Sequence, residues 1–65
     1  SNRETLINSR KKRIEILKEM LENNPEKPLK EILANFCIET GIRAIIAEQY
    51  YNLLIEAKKI EPRNA

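Results

Sequence analysis

Helix-breaking residues interrupt the interior of this chain at only two places, and the apolar pattern around them points to one fold class. The first break is Asn23-Asn24-Pro25-Glu26-Lys27-Pro28, where two prolines deny helical geometry to the residues before them. The second is Thr40-Gly41, where the single glycine of the chain supplies the positive φ that ends a helix cheaply. Pro62 closes the pattern near the C-terminus.

Each segment between these marks carries apolar residues at helical spacing. From about Glu4 to Glu22, Ile7, Ile14, Leu17 and Leu21 form one stripe, widened at its edges by Leu6 and Met20. The second helix is predicted over about 28–39, with Pro28 at its first position, where a missing N–H needs no partner. Its Leu29, Ile32, Leu33, Phe36 and Cys37 are dense enough to make it the most buried of the three. The third is predicted over about 42–59, with Ile42, Ile46, Tyr50, Leu53, Leu54 and Ala57 facing inward. No stretch alternates as a strand would. The expectation is a single all-α domain of three helices over residues 1–65.

Such a length sits near the lower limit for folding without metals or disulfides, so the core must be thin and well packed. Hydrophobic residues at 42% and charged residues at 34% suit a folded, well-solvated domain rather than a disordered one. Cys37 is the only cysteine, which excludes an intrachain disulfide and fits a reducing cytoplasm. No apolar run approaches the roughly 20 residues a membrane span needs, and no signal-peptide pattern occurs.

Enzyme chemistry finds few parts here. Histidine and aspartate are absent, as are a second cysteine and a glycine-rich phosphate loop. The acids are all glutamates spread along helices, and no pair is set apart in an apolar pocket for acid–base work. The same inventory points to no catalytic residues, no metal site, no cofactor and no small-molecule substrate. Cys37, one residue after Phe36, reads as a packing residue.

Net charge is +2, a small value for a nucleic-acid binder, but it is unevenly placed. Residues 1–30 hold eight Lys/Arg against five Glu, whereas residues 31–65 hold four against five. The densest basic run is Arg10-Lys11-Lys12-Arg13 on the first helix. Four consecutive residues spread over about 300° of a helix, so they cannot all face one phosphate strand. The run therefore has two readings, phosphate contact through part of it or a solvated surface.

Around Gly41 the pattern becomes more specific. Cys37 is a small residue four before the glycine, and Phe36, Ile42, Ala47 and Tyr50 fall where residues buried between two steeply crossed helices would be. The stretch from Gly41-Ile42-Arg43 through Tyr50, Leu53-Leu54 and Ala57 to Ile60 resembles winged-helix and related helix-turn-helix domains. The resemblance covers roughly residues 28–60, with the first helix as support. Two departures stand out: Lys58 replaces a glycine usual in that family, and Glu61–Ala65 is too short for a β-hairpin wing. That leaves a wingless variant or a fragment of a longer protein.

The resemblance implies a DNA-binding domain of a transcriptional regulator or a replication protein, with double-stranded DNA as partner. Its third helix would present Arg43, Ala44, Ile45, Glu48, Gln49 and Asn52 to the major groove. Arg10, Lys11 and Arg13 of the first helix, with Lys30 after the proline break, would meet phosphates. A nearly neutral recognition helix is a poor electrostatic footprint, however. The competing reading is a protein-interaction or homodimer module. In that reading Ile45, Tyr51 and Ile55 form an apolar flank for a partner, and Tyr51 is the more exposed of the two tyrosines.

Overall fold

A computed structural model describes the backbone of residues 2–63 and the side chains of residues 9–63. It contains three helices, α1 (Asn2–Asn23), α2 (Leu29–Thr40) and α3 (Ala44–Glu56), each packed against the other two. The expected stripe residues Leu6 and Ile7 lie outside the described side chains, and Asn64 and Ala65 lie outside the described backbone.

The ends of each helix follow from local chemistry. α1 stops where Pro25 forbids continuation, and the Asn24 side-chain amide donates to the Met20 carbonyl at 2.9 Å. Pro28 is the N-cap of α2 rather than its first residue: its ψ of 146° is extended, and its carbonyl accepts from the N–H groups of Glu31 and Ile32. Glu31 places a negative charge in the first turn, where the helix dipole favours it. At the other end Gly41 adopts the left-handed conformation, φ 74°, and its N–H donates to the Cys37 carbonyl at 2.8 Å. The Thr40 hydroxyl donates to the Phe36 carbonyl and accepts from the Ile42 N–H, which stitches the turn together.

α3 is shorter than the sequence pattern suggests. Ile42 lies in the connection, and Arg43, with a ψ of 151°, is the extended N-cap whose carbonyl takes the N–H groups of Ile46 and Ala47. Three residues, Gly41-Ile42-Arg43, therefore separate the two helices. The far end closes in a Schellman arrangement, with Lys58 N–H on the Ile55 carbonyl and Lys59 N–H on the Leu54 carbonyl, both at 2.9 Å. Lys58 sits at the position that motif reserves for a left-handed residue, at φ 58°.

The core is built by Leu17 and Leu21 from α1, Ile32 and Phe36 from α2, and Ala47, Tyr50, Tyr51 and Leu54 from α3. Phe36 is wholly enclosed, and its ring meets Tyr50 edge to face at 6.3 Å between centroids. α2 is not the most buried helix: among the described residues α3 has four buried side chains against its two. Leu53 and Ala57, expected inside, are exposed, because the buried face runs through Ala47, Tyr50, Tyr51 and Leu54 instead.

α1 is about 33 Å long at 1.5 Å per residue, nearly twice α2, and this accounts for a long dimension of 40 Å against 25 and 20 Å. Among its described side chains the first fully buried one is Leu17, and none from Ser9 to Arg13 is buried.

Candidate functional site

The face of α3 turned away from the core is the most distinctive surface. Ala44, Ile45, Glu48, Gln49 and Asn52 are all exposed, as is Arg43 at the N-cap. Ile45, Gln49, Asn52 and Glu56 follow one another at intervals of four, three and four, so they form a single outward stripe. The helix holds this face clear because its opposite side is fixed by Ala47, Tyr50, Tyr51 and Leu54.

Charge on this helix is sparse. Between Ala44 and Glu56 there are two glutamates and no lysine or arginine. Positive charge comes from its surroundings. Arg43 precedes the first turn, and Lys30 of α2 lines a shallow groove of about 480 Å³ together with Ala44 and Glu48. That groove is floored by Leu33, Ala34, Cys37 and Ile38. Arg10 and Lys11 are exposed on the N-terminal half of α1, and Arg13 beside them is half-buried. The structure thus brings Lys30 and Arg43 to α3 and places Arg10, Lys11 and Arg13 on a separate element.

The apolar flank expected from Ile45, Tyr51 and Ile55 does not form. Tyr51 is buried, at 8% exposure, and its hydroxyl accepts the Arg63 backbone N–H at 2.8 Å. Ile55 is half-buried against the core, one turn from Tyr51, while Ile45 points outward at 60% exposure. The cause is rotational: Tyr51 continues the face of Ala47 and Leu54, whereas Ile45 lies about 120° around the helix from Tyr51 and about 80° from Ile55. Cys37 is half-buried beside the core and free.

Three features were not anticipated. Ile38, off the apolar stripe of α2, stands at 81% exposure. Its position opposite Phe36 and Leu29 on the helix is the signal that separates it from the core. Lys58 keeps a glycine-like conformation without being glycine. Arg63 folds back so that its guanidinium donates to the carbonyls of Leu21, Asn24, Pro25 and Lys27. No local pattern in the sequence marks that last interaction.

Among the described residues, no group of His, Cys, Asp or Glu is arranged to hold a metal ion, and no buried side-chain nitrogen or oxygen lacks a hydrogen-bond partner. No described helix is long and apolar enough to cross a membrane. No protein-family model, curated protein or solved structure matches this chain.

Proposed function

We propose that this chain is a DNA-binding domain of the helix-turn-helix type, with α3 as the recognition helix. The observation that carries the reading is the α2–α3 connection. Gly41 turns the chain in the left-handed conformation, Phe36, Ala47 and Tyr50 lock the two helices together, and the outward stripe of α3 remains exposed. The left-handed Lys58 adds support, since it keeps the backbone that a glycine would otherwise serve at the helix exit.

With no cation inside α3, affinity must come from groups around it. Arg43 and Lys30 flank the N-terminal end of the helix, and Arg10, Lys11 and Arg13 supply charge from α1. Phosphate contacts position such a domain, and base contacts from the helix specify its site. A reducing, cytoplasmic setting accompanies this reading.

Fluorescence anisotropy of a random-sequence duplex, titrated at rising salt, tests it. Binding at low ionic strength that weakens steeply with salt, and weakens further in Arg43→Ala/Gln49→Ala, is the expected result. Absence of binding at the lowest salt removes the proposal.

A protein-interaction or homodimer module is the second reading, and the exposures of Ile38 and Ile45, 81% and 60%, favour it. Sedimentation of the wild type and of Ile45→Glu decides it. A monomer at all concentrations, unchanged by the substitution and retained by no partner, removes its support.

A further inference from the structure

The outward stripe of α3 has a chemistry that discriminates among base pairs, and this step rests on the DNA-binding reading above. We infer that the stripe Ile45–Gln49–Asn52 selects a short A·T-rich element in the major groove.

The major groove offers adenine as an acceptor and a donor side by side, thymine as an acceptor with a methyl group, and guanine as two acceptors. A side-chain amide matches adenine by donating to N7 and accepting from the N6 amine. Gln49 and Asn52, both exposed and three residues apart, provide two such amides on one face. Ile45, one turn before Gln49, offers a branched apolar group with a 60% exposed surface, which suits the thymine methyl.

Guanine is read most often by an arginine or a lysine, and the stripe carries neither, because Ala44–Glu56 lacks both. Arg43 stands outside the helix as its extended N-cap and is not part of the stripe. Glu48, the acceptor that could take a cytosine amine, lines the α2–α3 groove beside Lys30 at the edge of the stripe. From Ile45 to Asn52 the helix rises about 10 Å, roughly three base-pair steps. The selected element should therefore be about three or four base pairs long.

Selection from a duplex library with a random core, using the whole chain at low salt, tests the inference. Enrichment of a contiguous A·T run of that length is expected, with discrimination reduced about tenfold in Gln49→Ala and in Asn52→Ala. Both residues are exposed, so their melting temperatures should match the wild type and exclude misfolding. Replacing thymine by deoxyuridine in the selected site should weaken the wild type about fourfold, the value of one buried methyl, and should leave Ile45→Ala unaffected. A G·C-rich winner, or binding with no preference, overturns the inference while leaving duplex binding in place. Failure to retain any duplex overturns both.

Discussion

The guanidinium of Arg63 donates to the main-chain carbonyl of Leu21, 42 residues earlier, and so closes the C-terminal end of α1. The same group reaches Asn24 at 2.9 Å and Pro25 at 3.2 Å, and also bonds to the Lys27 carbonyl. Carbonyls at a helix C-terminus have no partners within the helix and carry its partial negative charge. One planar cation therefore satisfies several orphan acceptors in the α1–α2 connection. Its own backbone N–H bonds to Tyr51, tying the C-terminal segment to α3 as well.

Removing this latch should cost stability without changing the fold. Arg63→Ala is expected to lose about 2 kcal/mol, since hydrogen bonds to charged groups are the stronger kind, and to lower Tm by roughly 8–16 °C. Arg63→Lys should recover less than half, because an ammonium is a point charge that cannot span carbonyls spread around a planar fork. Tyr51→Phe removes only the hydroxyl acceptor and should cost about 1 kcal/mol. Thermal unfolding of the three variants measures this, and an Arg63→Ala Tm within about 2 °C of wild type would show that the latch contributes nothing.

Gly41 and Lys58 occupy the same left-handed region with opposite consequences. A Cβ at Gly41 would meet nothing within 4 Å, so Gly41→Ala is penalised by backbone conformation alone, at φ 74°. The expected cost is about 1 kcal/mol. Lys58 already bears that strain at φ 58°, so Lys58→Gly should stabilise by about 0.5–1 kcal/mol after the greater freedom of glycine in the unfolded chain is subtracted. Urea midpoints moving in opposite directions at constant m would establish both.

These positions also show what periodicity can and cannot reveal. The three helices and residues such as Leu17, Phe36, Ala47 and Leu54 are legible because burial repeats with the period of the helix itself. Tyr51 is misread because α3 has neighbours on two sides, which widens its buried arc until it includes both tyrosines. A pattern within one helix carries no information about how many helices cover it. Lys58 is not legible at all, since its left-handed backbone is one that glycine adopts without strain and its side chain gives no sign of it. Arg63 is invisible for another reason: its partners lie 36–42 residues away and are main-chain carbonyls, so no side-chain type in the sequence announces them. For the candidate site, exposure of Arg43, Ala44, Gln49 and Asn52 follows from the helical wheel, whereas the grouping of Lys30 with Ala44 depends on how α2 crosses α3.

Phe36 and Ile38 are two residues apart and should respond oppositely to substitution. Phe36 is fully enclosed, and Phe36→Ala should cost about 3–5 kcal/mol through lost burial and a cavity. A domain of this size has roughly 3–10 kcal/mol in total, so the variant should be largely unfolded at 25 °C. Ile38→Lys, at a site 81% exposed, should change stability by no more than about 0.5 kcal/mol. Far-ultraviolet circular dichroism separates the two outcomes. A large loss in Ile38→Lys would mean that Ile38 is covered in solution, as the protein-interaction reading requires.

Arg10 and Lys11 allow the phosphate and base contributions of the proposed DNA complex to be separated. Both are exposed on α1, a different helix from the residues that would read bases. Each phosphate contact releases a condensed counterion, so Arg10→Ala/Lys11→Ala should reduce the slope of log affinity against log salt by about 1.8 if both side chains engage. The loss should be equal for A·T-rich and G·C-rich duplexes, since phosphates carry no sequence. Gln49→Ala should do the reverse, lowering discrimination between duplexes while leaving the salt slope intact. Anisotropy titrations of both variants at several salt concentrations read the two quantities independently. An unchanged slope in the double variant would assign Arg10-Lys11 to solvent and leave the phosphate contacts to cations beside α3 such as Arg43 and Lys30.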